Sequence, residues 1–263
     1  MYFSKVFELR EVWRFLDLGV IDPPTSGAVG EAILIARSKN LVPDTLFLYQ
    51  RDPPACSIGY FQAVENVVDV EECKRLGVDI SRRITGGGAI YSDKDNLTYN
   101  IVVHENNKKV PQDILKSYEV LCRGVVESLK MLGLNASFKP VNDILVDGKK
   151  ISGSSQTRRK KVVLHHGTLL IKTDIKTMSK VLKVSKEKMS DKVAKSIEER
   201  VINLETALKK KPDIEAIKNI LKKGFEKALD IELVSGELTE YEKKLTRKLV
   251  TEKYSTREWN FLR

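Results

Sequence analysis

The chain has 263 residues, 41% hydrophobic and 31% charged, which suits one large domain, or one domain with a smaller appendage, around a packed core and excludes a disordered chain. No run approaches the roughly 18 consecutive apolar residues of a membrane-spanning helix, and the charged N-terminal stretch is no signal peptide, so the expectation is a cytoplasmic protein without membrane contact. Three cysteines without CxxC or Cys–His spacing exclude a disulfide framework and a zinc site, and the net charge of +10 comes with no nucleic-acid module.

Residues 1–24 form a mixed segment ending in a turn at Asp22-Pro23-Pro24. Ser26 is the best cap candidate for a helix over Ala28–Arg37, where apolar residues recur at helical spacing. Strands are predicted at Leu46–Tyr49 and Ala55–Gly59, then a helix over Val67–Leu76 closed by Gly77, then a strand at Val78–Ile80. Gly59-Tyr60-Phe61 reads either as a strand end with core aromatics or as the wall of an apolar pocket.

From Ser81 to Val103 the character sharpens. Arg82 and Arg83 precede Gly86, Gly87 and Gly88, and strands follow at Ala89–Tyr91 and Leu97–Val103. A basic turn with uncovered backbone N–H groups suits a phosphate or carboxylate, although three glycines also suit a merely flexible turn. A long amphipathic helix spans Val110–Leu132 and ends at Gly133; Gly124 inside it points to close packing against a neighbour.

The second dense segment is Lys139–Thr173. Ile144–Val146, Asp147-Gly148 and Lys149–Gly153 read as a hairpin with a type I′ turn. Alternation puts Lys150 with Ser152 on one face, and Lys149 with Ile151 and Gly153 on the other. Only one of the two lysines can face a site. Asn142 and Asp143 read as a turn pair, or as a carboxylate that holds a cation or orients the lysine. Strands follow at Val162–Leu164 and Gly167–Ile171, with His165 and His166 between them; one of these faces any pocket, and a packed histidine is the simpler reading. After Asp174 helical patterns dominate, at Ile175–Val184, Asp213–Leu229 and Thr239–Tyr254. Residues 1–173 read as the catalytic core and 174–263 as a helix-rich continuation of the same domain. Strand runs with few intervening helices imply an α+β fold with a mixed or antiparallel sheet and flanking helices.

These residues carry a resemblance. Arg82-Arg83-Ile84-Thr85-Gly86-Gly87-Gly88-Ala89-Ile90-Tyr91 with Asp95-Asn96-Leu97, then Asn142-Asp143-Ile144 with Gly148-Lys149-Lys150-Ile151-Ser152-Gly153-Ser154-Ser155-Gln156, then His165-His166-Gly167-Thr168, resemble three ordered motifs of the lipoate–protein ligase A family. Ile202-Asn203-Leu204 and Tyr254–Asn260 are similar to the tails of its short archaeal forms. The resemblance implies the fold shared by biotin and lipoate ligases. It also implies an ATP-dependent enzyme that forms or uses lipoyl-AMP, with ATP and Mg²⁺ as cofactors and lipoate as substrate, and that transfers the lipoyl group to a lysine of a lipoyl-domain protein such as glycine-cleavage H protein or a 2-oxoacid dehydrogenase E2 subunit.

Carried over residue by residue, the resemblance makes Lys150 the catalytic residue. It assigns Arg82, Arg83, Gly86, Gly87, Gly88, Tyr91, Asn96, Asn142, Asp143, Ser152, Gly153 and Ser154 to the nucleotide and acyl-adenylate, with Arg83 favoured over Arg82. Gly59, Tyr60, Phe61, Leu145, His166 and Gly167 would line the lipoyl pocket, and Asp143 would hold the metal. Ser92 stands where the family has a histidine. By the same resemblance the chain is expected to be a short form without the further C-terminal domain of longer members, and to need a separate small accessory subunit for activation. The alternatives are an octanoyltransferase, ranked lower because that class uses a cysteine thioester and no cysteine falls between Asn142 and Ile171, and a non-catalytic binder of lipoyl domains. Neither reading involves nucleic acid.

Overall fold

Residues 10–183 and 196–263 are described by the computed structural model. Its first element is a strand, β1 (Glu11–Ile21), where a mixed segment was expected; residues 1–9 of that segment lie outside the described residues. Arg14 and Asp17 obscure the strand pattern because their partners are distant in sequence. Glu242 takes Arg14 at 2.6 Å, and Lys218 takes Asp17 at 2.8 Å. Helix α1 (Pro23–Ser38) begins earlier than Ala28. Asp22 caps it by accepting from the Thr25 N–H, and prolines in its first turn cost nothing where no N–H partner exists. Ser26 is therefore not the cap; its hydroxyl donates to the Pro23 carbonyl.

Strands β2 (Thr45–Arg51) and β3 (Ala55–Ile58), short helices α2 (Val64–Val67) and α3 (Val70–Leu76), and strands β4 (Asp79–Arg82), β5 (Ile90–Ser92) and β6 (Asn96–His104) follow. Helix α4 (Ile114–Met131) leads into β7 (Ala136–Lys139), β8 (Asp143–Val146), β9 (Lys149–Arg159) and β10 (Val162–Leu170). Asp147 and Gly148 at positive φ make the predicted β8–β9 turn. The main sheet has the order β11-β1-β2-β6-β10-β9-β8-β7, with β1 parallel to both neighbours and the pairs from β2 to β7 antiparallel. A second sheet has the order β4-β3-β5. The mixed sheet with flanking helices is the α+β architecture expected.

The tail supplies helices α5 (Ile175–Val181), α6 (Ile197–Arg200), α7 (Leu204–Leu208) and α8 (Ile214–Leu229), then a strand, β11 (Ile231–Ser235), then α9 (Glu240–Leu249), a wider turn over Val250–Tyr254, and α10 (Arg257–Asn260). Residue 184, the expected end of the first tail helix, lies outside the described residues. The parallel strand β11 was not expected, and it pairs with β1 at the sheet edge. Both sheet faces are covered. Leu46, Leu48, Tyr99 and Ile101 pack under α4 and α8, while Phe47, Tyr49, Val102 and Leu164 pack with α1 and Tyr254. Alternation along β2 and β6 thus divides one apolar run between two cores. A third cluster fills the space between the small sheet, α3 and α5.

Candidate active site

A cavity of about 320 Å³ lies on the α1 side of the main sheet, between it and the glycine turn. Strand register builds its floor. Tyr49 pairs with Thr98, Thr98 with Thr168, Thr168 with Gly153, and Gly153 with Asp143, so one row of side-chain positions crosses five strands. The adjacent row brings Asn100, His166 and Ser155 side by side.

Lys150 stands at the β9 end of this floor, in ion-pair contact with Asp143 at 2.6 Å. Its side chain is 39% exposed, which marks the open end of the cavity. A register shift between Ile144 and Leu145, against Ser152 and Lys150, breaks simple alternation. Lys150 therefore shares the Gly153 side, and not the Ser152 side that alternation assigned to it. A Cβ on Gly153 would come within 2.7 Å of Lys150 Nζ, so the glycine is the space the ammonium occupies. Asn142 donates from Nδ2 to the Ser154 carbonyl at 2.6 Å and accepts through its own carbonyl from Ser154 Oγ and N–H, clasping β9 beside the lysine.

Arg83 is buried and shapes the glycine turn. Its Nε donates to Thr85 Oγ1, Nη1 to the Ser57 carbonyl, and Nη2 to the carbonyls of Gly86 and Gly88, each at 2.7–3.0 Å. Ser155 Oγ also donates to the Gly86 carbonyl. Gly87 takes φ +87°, and Gly59 lies so close beneath it that any Cβ there would collide with the Gly87 carbonyl. Burial, with the charge of Arg51 second, pushes Arg83 down to about 10. His166 Nε2 sits 2.7 Å from Thr85 Oγ1, and burial, then the charge of Arg83, holds its imidazole well below the usual range. A neutral His166 thus forms one wall.

Arg83, Gly87, Gly88, Asn142, Asp143, Lys150, Gly153, Ser154, His166 and Gly167 all line the cavity. The remaining expected residues are placed differently. Arg82 touches the cavity edge, but its guanidinium donates to the carbonyls of Gly59, Tyr60, Gln62, Trp259 and Asn260. Gly59, Tyr60, Phe61, Gly86, Tyr91, Asn96, Leu145 and Ser152 are not lining residues. Phe61 is 70% exposed, Tyr91 belongs to the third core cluster, and Asn96 and Ser152 are buried with side-chain atoms that meet no polar partner. Sequence reasoning missed Tyr49, Arg51, Ser26, Thr98, Asn100, Thr85 and Ser155. Strand alternation together with a pairing scheme would have found Thr98 and Asn100; Arg51 carried no local signal.

Nothing in these donors supports the expected Mg²⁺ site. Asp143 is the one carboxylate lining the cavity and is paired with Lys150, and among the described residues no group of three His, Cys, Asp or Glu gathers. Cysteines are absent from the lining. Cys56 and Cys73 sit in the third core cluster, and Cys122 is buried behind β9, where burial pushes its thiol up to about 11. Among the described residues no helix is long and apolar enough to cross a membrane.

A family profile described as "Lipoyl protein ligase A/B catalytic domain" matches residues 22–226. The octanoyltransferase LipM of Geobacillus kaustophilus is 34% identical over 97% of this chain and 99% of its own length. A chain from the structural analysis of an archaeal lipoylation system, a bipartite lipoate protein ligase and its E2 lipoyl domain from Thermoplasma acidophilum, superposes with TM-score 0.83 at 35% identity over 95% of this chain and 96% of that one. A lipoate–protein ligase A bound with ATP superposes equally well, at 33% identity over 95% and 98%. The octanoyltransferase name recurs on curated bacterial relatives that cover 95–97% of this chain. That finding overturns the expectation of an ATP-dependent, acyl-adenylate-forming ligase and gives no support to an archaeal assignment. None of the comparisons shows a separate accessory subunit for this chain. With three motifs converging on one cavity and most of the chain inside the matched region, the chain belongs to the lipoyl protein ligase A/B catalytic domain family.

Proposed function

We propose that this chain transfers an octanoyl or lipoyl group from an activated thioester donor to the ε-amine of a lysine on a lipoyl-domain protein. The observation that carries the reading is Lys150, a cation held by Asp143 at the open end of the cavity, with Gly153 leaving room beside it. The acceptor amine attacks the donor carbonyl carbon. A C–N bond forms, the C–S bond to the carrier breaks, and the proton released by the amine ends on the departing thiolate. Negative charge grows on the carbonyl oxygen during this step, and the Lys150 ammonium is placed to stabilise it. The glycine turn held by Arg83 supplies backbone N–H groups on the facing wall.

Because no cysteine lines the cavity, transfer in this reading runs directly from donor to acceptor without an acyl-enzyme. The net charge of +10 suits an acidic acceptor domain, for which glycine-cleavage H protein and 2-oxoacid dehydrogenase E2 are the candidates. The relatives' names support the octanoyl group; the solved ligases support lipoyl.

The test incubates the purified chain with octanoyl-loaded acyl carrier protein and a lipoyl domain, and measures the intact mass of the domain. The wild type should acylate the domain, and Lys150→Ala should lose at least about a hundredfold in rate while keeping its fold. A domain that is bound but never acylated would leave a binding protein, and acylation from acyl adenylates alone would refute the thioester donor.

A further inference from the structure

The cavity has one open and one closed end. Lys150 and the turn glycines Gly87 and Gly88 are accessible, whereas at the far end Arg51 is 5% exposed and Tyr49, Ser26 and Ser57 are buried. An acceptor lysine on another protein can reach only the open end. The reacting carbonyl therefore sits at Lys150, and the acyl tail runs inward across Thr168 and Thr98 toward β2. From β9 to β2 is three strand spacings, roughly 14 Å. Arg51 lies two residues beyond Tyr49 on the same strand, so both share the face that lines the cavity.

The closed end is chemically unlike a hydrocarbon slot. Arg51 Nη1 donates to Ser92 Oγ at 2.6 Å, and Nη2 donates to Ser26 Oγ at 2.9 Å. Its guanidinium lies over the Tyr49 ring, 5.8 Å from the centroid. Among the described residues no carboxylate pairs with it, and its Nε–H is buried without an acceptor. Arg83 adds a second buried cation in the same cavity. A buried guanidinium with an unmet donor penalises a methyl group placed beside it and favours a group that can accept a hydrogen bond. Ser92, the position where the resemblance leads one to expect a histidine, is the residue that positions Arg51 here.

We infer that Arg51 determines which acyl tails this chain takes, favouring tails that carry an acceptor atom at the far end, such as the dithiolane sulfurs of lipoyl or a terminal hydroxyl, over the bare methyl of octanoyl. The inference rests on the acyl-transfer reading for the direction of the chain. Its test is independent of turnover. Equilibrium binding to the wild type should rank 8-hydroxyoctanoate above octanoate by about tenfold, the size expected when a donor on a charged group gains an oxygen acceptor, with lipoate, whose sulfurs accept more weakly, between the two. Arg51→Leu, with its fold checked by circular dichroism, should bring octanoate level with lipoate. Equal binding of octanoate and lipoate by the wild type would overturn the inference without any variant, and an unchanged preference in folded Arg51→Leu would overturn it too. Failure of transfer from every donor, with the binding preference intact, would instead remove the transfer reading and leave Arg51 as the selector of a bound acid.

Discussion

His165 and His166 are neighbours in sequence with opposite surroundings. His166 faces the cavity, while His165 is fully buried between Tyr99 and Tyr118 with neither ring nitrogen meeting a protein partner. Burial pushes His165 down to about 3, so the folded protein keeps it neutral where the unfolded chain, with an ordinary imidazole near 6.5, takes up a proton. A depressed histidine contributes stability that is complete above about pH 6.5 and is lost as pH falls from there toward 3, because the unfolded state binds the extra proton. The slope is about 1.4 kcal/mol per pH unit, so lowering pH from 7 to 5 should cost about 2 kcal/mol on account of His165. Urea midpoints at the two pH values measure this. His165→Phe, which keeps an aromatic ring between the two tyrosines, should shrink the loss; an undiminished loss would assign it elsewhere. His166 shifts in the same direction, so the transfer rate should show no imidazole titration near pH 6.5.

At the scale of elements, the contact between α4 and α8 decides how the sheet is covered. Gly124 sits inside α4 where a Cβ would overlap the Phe225 ring, and Gly224 on α8 faces Ser128 and the Gly124 carbonyl just as closely. Ser128 Oγ donates to the Gly124 carbonyl at 2.7 Å and also reaches the Ile220 carbonyl of α8 at 3.3 Å, so its hydroxyl lies within the crowded interface. Gly124→Ala should gain up to about 1 kcal/mol of helix propensity and lose about 1–3 kcal/mol to overpacking. Crowding wins because Phe225 is fully buried, with Tyr99 at 5.6 Å leaving it no room to retreat. The melting temperature should therefore fall, and Phe225→Leu in the same chain should restore part of it; a rise in the single variant would contradict the packing argument. The spacing of Gly124 in a predicted helix suggested such a neighbour, but Phe225 as that neighbour required the folded chain. Likewise Asp147-Gly148 marked its hairpin locally, whereas the register shift that turns Lys150 toward Gly153 depends on how β8 meets β9.

Across the whole molecule, the C-terminal segment is fastened to the start of the chain and to the site. Arg14 on β1 makes a bidentate pair with Glu242 on α9, at 2.6 and 2.9 Å, with both side chains buried. Glu242 also accepts from the Thr239 N–H and hydroxyl in the capping box. Removing one partner strands a buried charge, so Arg14→Met should cost about 3–5 kcal/mol, whereas Arg14→Met with Glu242→Leu should recover most of it. Denaturant unfolding of both singles and the double measures the coupling; additive losses would show that the pair acts independently. Farther along, Trp259 Nε1 donates to the Arg82 carbonyl while Arg82 donates to the carbonyls of Trp259 and Asn260. The tail therefore closes over the loop beneath the glycine turn, and Arg82 is its fastening.

The sequence by itself determined the fold class, the hairpin that carries Lys150 and the glycine turn, because each depends on spacing over a few residues; alternation said only that one of Arg82 and Arg83, and one of His165 and His166, faces inward, and the family resemblance chose between them. Tertiary structure alone decided β1, β11, the role of Arg82 and the presence of Arg51 at the closed end of the cavity. In each case the deciding partner lies far away in the chain: Glu242 for Arg14, Ile231 for Glu11, Trp259 for Arg82, and Ser26 and Ser92 for Arg51. A charged residue in a strand is locally a reason to doubt the strand. It becomes a reason for it only when folding supplies the opposite charge or the hydroxyl that satisfies it.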